Sequence, residues 1–164
     1  MVRSDYIIRP IGVIRTEYSS SKDTPIQSCF SQSIGHVNLL PEFIDGLKSL
    51  DLFAHIYLIY WCHKASYPNL LVTPYLDEKQ HGVFSTRAPS RPNPIGISVV
   101  EIVEILNGTI VFRGADMLDG SPLLDIKPYV PTFDCKATAT EGWLKGHLKE
   151  NDRSKIADKR FEHS

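Results

Sequence analysis

Cysteine is scarce in this chain. Its three residues, Cys29, Cys62 and Cys135, are widely spaced and odd in number, which implies no disulfide framework and leaves no Cys-x-x-Cys or Cys/His cluster for a metal. Reduced thiols and a cytoplasmic setting are the expectation. No apolar stretch approaches the length of a membrane span, and the charged start of the chain carries no signal-like run. A soluble protein without a membrane partner is therefore expected. Neither sign of charge is in excess: 18 Lys and Arg stand against 19 Asp and Glu, a formal net charge of −1. That removes any global electrostatic case for nucleic acid and leaves room only for a local basic patch. Common catalytic signatures are missing too. There is no Gly-x-Ser-x-Gly elbow, no Walker loop, no His-Glu-x-x-His, and no Gly-x-Gly-x-x-Gly after a strand.

What is present is a β pattern. With 164 residues, 42% hydrophobic and 23% charged, the chain suits one globular domain with a core of its own. Runs rich in Val, Ile, Tyr and Phe alternate with Gly, Pro, Asn and Asp along its whole length. Residues 7–15, 34–40, 53–63, 95–106, 109–114 and 123–129 read as strands. Asn107-Gly108 supplies the two positive φ values of a type I′ turn and marks a hairpin. Residues 41–50, opened by Pro41 and carrying Phe43, Ile44, Leu47 and Leu50 at helical spacing, predict a short helix. The long strand at 53–63 has one aliphatic parity, Ile56, Leu58, Tyr60 and Cys62. Its other parity is aromatic and imidazole-rich and predicts an interface or a pocket wall. Regular βαβ alternation is missing. The pattern predicts a mainly β protein, a small antiparallel β-barrel with one or two short helices. Residues 1–140 form the barrel domain and residues 141–164 a polar tail, helical or disordered.

The most informative stretch is residues 82–98, where Arg87 and Arg91 stand among Pro89, Pro92 and Pro94 with Asn93 between the last two. Proline fixes its own φ and moves the preceding residue out of the helical region, so the loop is stiff and extended. It presents two forked guanidinium donors suited to carboxylate or phosphate. A surface loop with Arg–Asp pairs is the competing reading. Other polar turns lie near strand ends: residues 27–29, His63-Lys64 and residues 116–125. Several strands delivering such turns to one rim would build a small-ligand pocket. Each has a plain alternative. His63 suits a hydrogen-bonded strand end, Asp119 a self-bonded turn, and Asp125 with Lys127 a solvated pair. Residue types alone give a barrel with an anion-competent pocket and name no reaction.

The ordered set of blocks goes further. Ile11-Gly12-Val13-Ile14-Arg15-Thr16, Gly82-Val83-Phe84-Ser85-Thr86-Arg87, Arg91-Pro92-Asn93-Pro94-Ile95-Gly96-Ile97-Ser98, and Asp119-Gly120-Ser121-Pro122 with Asp125-Ile126-Lys127-Pro128-Tyr129 follow one another. Together they resemble the TsaA-like family, also called YaeB-like or TrmO, over about residues 6–134. The resemblance implies a small β-barrel methyltransferase that uses S-adenosylmethionine, commonly as a homodimer, to N6-methylate N6-threonylcarbamoyladenosine at position 37 of tRNA. It implies cofactor contacts at Gln27, Ser28, Cys29, His63, Lys64, Arg91, Val99, Val100, Asp119, Gly120, Ser121 and Pro122. Arg87, Asn93 and Lys127 are the candidates for the acceptor, and Ser98 belongs to the same block. His63 and Asp119 are candidates for a general base by type and neighbourhood; no metal is expected. Other open readings are a barrel acting on a smaller acceptor and a non-catalytic binding module. Ser28-Cys29 replaces the Pro-Gly the family often carries there, and longer members continue into a second C-terminal domain.

Overall fold

The computed structural model describes residues 6–22, 24–148 and 156–162. Six antiparallel strands close into a barrel: β1 (Gly12–Arg15), β2 (Ile34–Leu39), β3 (His55–Trp61), β6 (Ile95–Leu106), β7 (Thr109–Arg113) and β8 (Ser121–Pro128), in the order β1-β2-β7-β6-β3-β8. Two short strands, β4 (Leu71–Val72) and β5 (His81–Gly82), pair outside it. Closure leaves no barrel strand with an open edge.

Alternation builds the core. On β3, Ile56 and Leu58 are fully buried and meet Ile14, Val37, Val100, Ile110, Phe112 and Leu123 from the other strands. Strand β3 lies between β6 and β8, in register Tyr60 against Gly96 and Ile59 against Asp125. A Cβ on Gly96 would overlap the Tyr60 ring, so glycine is what lets that buried ring lie against β6. Bulges between Ile59 and Tyr60 and between Ile102 and Glu104 add the local bend that closure needs.

The hairpin between β6 and β7 turns on Asn107 (φ 50°) and Gly108 (φ 80°), as their types require. Other expectations need correction. The first strand begins only at Gly12, because Pro10 has no N–H to donate to a ladder. The helix expected over residues 41–50 is two 3₁₀ segments, Pro41–Leu47 and Leu50–Leu52, split where Ser49 takes a left-handed conformation (φ 67°). One α-helical turn, Pro131–Asp134, follows β8.

Strand direction divides the barrel into two unlike ends. β1, β3 and β7 run toward one end; β2, β6 and β8 leave from it. The connections 16–33, 62–94 and 114–120 therefore all lie at that end. The opposite end holds the Asn-Gly hairpin and the 3₁₀ segments, whose Leu47 and Leu50 pack against the core.

Residues 156–162 return to the first end. Ile156 bridges to Pro25 and Glu162 to Ala65, while Phe161 is buried with Val72, Val83 and Ala88. This part of the expected polar tail is not helix: two isolated bridges flank a turn that the Glu162 N–H closes on the Lys159 carbonyl at 3.1 Å. Residues 149–155 and 163–164 of that tail lie outside the described residues. Among the described residues no helix is long and apolar enough to cross a membrane.

Candidate functional site

The three long connections enclose a cavity of about 440 Å³. Its wall begins with the end of β3, where Tyr60 and Cys62 face inward and His63 and Lys64 continue past the last sheet residue. The proline-rich connection adds Arg87, Arg91 and Asn93, the first connection adds Gln27, the third adds Asp116 and Met117, and β8 starts there with Ser121. The strap at residues 156–162 supplies Ala157, Phe161 and Glu162.

The arginine loop is stiff and also anchored. Arg91 Nη1 donates to the carbonyls of Thr86 (3.2 Å) and Ala88 (3.4 Å), and Arg87 Nη1 donates to Gln27 Oε1 at 2.5 Å. No Arg–Asp pair holds either guanidinium among the described residues. Both arginines line the cavity, Arg87 at its exposed edge.

Behind them runs a chain of hydroxyls. Ser98, buried on β6, donates to Asp116 Oδ1 at 2.6 Å. A serine has one proton to give, so Tyr60 Oη, 3.2 Å from Ser98 Oγ, is the donor in that second bond. Burial pushes the Asp116 carboxyl up to about 7, although Ser98, the Ser28 backbone and the Arg87 charge pull the other way. Burial, with Asp116 adding to it, pushes the Cys62 thiol up to about 12, so it is not a thiolate nucleophile. His63 is lowered by burial and then by Lys64; its Nδ1 lies 3.4 Å from Ser121 Oγ.

Of the residues expected at a site, Gln27, His63, Lys64, Arg87, Arg91, Asn93 and Ser121 line this one cavity. The others fall elsewhere. Ser28 and Cys29 form a 3₁₀ turn behind the wall, from which the Ser28 backbone hydrogen-bonds Asp116. Val100 is inside the core and Val99 opposes Tyr57 further along β6. Asp119 accepts from the Thr16 backbone N–H (3.1 Å) and pairs with Arg15 at 3.4 Å, so its carboxylate closes the turn before β8 and does not enter the cavity. Gly120 and Pro122 belong to the same corner. Lys127 pairs with Asp125 at 2.8 Å, six residues along β8 from Ser121, or about 20 Å at strand rise. Tyr60 and Cys62 of the aliphatic parity line the cavity, and so does His63, the last residue of the aromatic parity.

Tyr60 and the 156–162 strap escaped sequence reasoning, and Asp116 enters it only as the first residue of the polar turn 116–125, with no role of its own. Asp116 carried one signal, a carboxylate between Ala115 and Met117 in an otherwise apolar step. Among the described residues no His, Cys, Asp and Glu cluster could hold a metal.

A closed antiparallel barrel whose connections converge on a cavity with an apolar wall and a few charged groups has the form of a small-ligand-binding barrel, of a class apart from parallel-sheet nucleotide folds. The chain belongs to the family of the tRNA-methyltransferase O N-terminal domain, whose model matches residues 13–135. It is 49% identical to a "Probable S-adenosyl-L-methionine-binding protein" of Pyrococcus abyssi over 90% of this chain and 80% of that one. It is 33% identical to a tRNA (adenine(37)-N6)-methyltransferase of Rattus norvegicus over 78% of this chain but only 32% of that one. The crystal structure of TrmO from Pseudomonas aeruginosa superposes with a TM-score of 0.73 at 36% identity, over 85% of this chain and 63% of that chain.

Proposed function

We propose that this protein is an S-adenosylmethionine-dependent methyltransferase that N6-methylates N6-threonylcarbamoyladenosine at position 37 of tRNA. The observation that carries the proposal is the cavity itself, where two guanidiniums and a carboxylate share a half-apolar space. Its volume is that of a small-ligand pocket. The donor set fits the cofactor. Arg91 and Arg87 suit its carboxylate, Gln27, Asn93 and Ser121 offer hydrogen bonds to its polar groups, and Tyr60, Met117 and Phe161 give apolar walls for its base. When bound, the cofactor supplies an electrophilic methyl group on a positive sulfur. The protein's part is to position the acceptor, exclude water and take up a proton.

Two further features support an RNA acceptor and a paired assembly. Lys64, Arg87 and Arg91 form a local basic cluster at the cavity in a chain of almost no net charge. Beside it, register puts Ile59 against Ile97 and Trp61 against Ile95 on the outer face of β3 and β6, with Ile97 47% exposed. A second copy of the chain is proposed to cover that face; a dimer mass in light scattering is expected, and a monomer mass would remove the dimer.

The test of function is transfer of labelled methyl groups to tRNA with and without the threonylcarbamoyl group. Label is expected in modified tRNA alone. Equal labelling of both would discard the proposed acceptor, and cofactor binding without transfer to any tRNA would leave the binding-module reading in its place.

A further inference from the structure

We infer that Asp116 is the general base of this cavity: its carboxylate takes the proton from the acceptor nitrogen, and the Ser98–Tyr60 hydroxyl chain holds it in place. The inference rests on the methyl-transfer reading above. An exocyclic nitrogen bearing a carbonyl substituent is a poor nucleophile, because its lone pair is delocalised, and its N–H proton must leave during transfer. The balance is simple. Asp116 gains that proton as the nitrogen–methyl bond forms; the carbon–sulfur bond breaks with its electron pair left on sulfur, which passes from cation to neutral thioether.

Geometry favours Asp116 over every other acid or base at the cavity. It sits on the third connection and lines the same cavity as Arg87 and Arg91. Ser98 is its one side-chain hydrogen-bond partner among the described residues, and no cation lies within ion-pair distance to keep it a permanent anion. Asp119 is taken up by Thr16 and Arg15. Glu162 accepts from the Ser21 backbone N–H. His63 stands at the rim against Ser121 and Lys64. The groups whose charges act on Asp116 or feel it are Arg87, Tyr60, Cys62 and Cys29. Burial raises the carboxyl to about 7, where a base is half-ionised and strong enough to compete for the proton near neutral pH. Such a group is costly to bury in a core and useful at a reacting centre.

The test uses the full chain, the cofactor and threonylcarbamoyl-modified tRNA in single turnover. D116N is expected to slow transfer by roughly 100-fold or more while cofactor affinity changes by less than about threefold. The wild-type rate is expected to rise with pH through a limb near 7 that D116N lacks. Independently of activity, carbon-13 NMR of labelled aspartate carboxyls, without cofactor, is expected to show one resonance titrating near pH 7 that disappears in D116N. S98A removes a bond to the ionised form, so both the limb and that resonance should move to higher pH. D116N transferring within about threefold of wild type, or a limb that neither D116N nor S98A moves, overturns the assignment while leaving the methyltransferase reading intact. If D116N does not fold, the S98A shift decides alone. Wild-type protein that binds the cofactor yet methylates no tRNA overturns both.

Discussion

The two ends of this barrel are made by the same strands and have opposite characters. At one, three long connections hold two arginines, a half-ionisable aspartate and a buried hydroxyl chain around a cavity. At the other, a two-residue hairpin and 3₁₀ turns cover the core with Leu47 and Leu50, which border a second cavity of about 490 Å³ that holds no arginine, and charges such as Asp125 and Lys127 pair in solvent. The difference teaches where stability and function reside. The covered end buries apolar surface, which is worth about 25 cal/mol per Å². The open end instead buries a carboxylate, a group that costs stability when ionised.

Substitutions at each end should separate the two roles. The largest effect on cofactor binding is expected from Arg91→Ala, which removes a guanidinium from the cavity and two clamps on the Thr86 and Ala88 carbonyls. Calorimetry should show cofactor binding weakened about 10- to 100-fold; unchanged affinity would mean that Arg91 only shapes its loop. Leu47→Ala, at the covered end, should cost about 1–2 kcal/mol in urea unfolding and leave cofactor affinity alone. A loss of binding there would show that the ends are coupled.

A smaller, pH-dependent effect belongs to Asp116. Its folded pKa of about 7 stands above the usual value of about 3.9, so the folded protein holds a proton that the unfolded chain releases. Stability from this group is present at low pH and falls as pH rises from about 4 to about 7. Asp116→Asn should flatten that slope and be the more stable protein at pH 8, by about 1–2 kcal/mol. Urea midpoints at pH 5 and pH 8 check it, and parallel curves for the two proteins would contradict it. Lys127→Ala should do least: its pair with Asp125 is exposed, so stability should change by about 0.5 kcal/mol or less and methyl transfer by less than about twofold.

Much of this contrast was legible in the sequence because it is local. Proline spacing and arginine type announced the stiff cationic loop, Asn107-Gly108 announced the hairpin, and alternation on residues 56–62 announced the inward face. The rest depends on distant partners. Asp116 looks like one more acid in a polar turn until β6 brings Ser98 to 2.6 Å. Phe161 is a lone aromatic in a charged stretch until Val72, Val83 and Ala88 surround it. Asp119 is the opposite case. The family resemblance implies a ligand contact there and the Asp-Gly-Ser-Pro turn a structural role, and the structure shows its carboxylate bonded to the Thr16 backbone and Arg15 at the strand β1 corner.

The central claim is that the open end binds S-adenosylmethionine through the arginine loop. Titration calorimetry of wild type, Arg91→Ala and Leu47→Ala with that cofactor tests it most directly. Binding to wild type and Leu47→Ala at similar affinity, with marked loss in Arg91→Ala, is the expected result. No heat of binding to wild type at millimolar cofactor would contradict it.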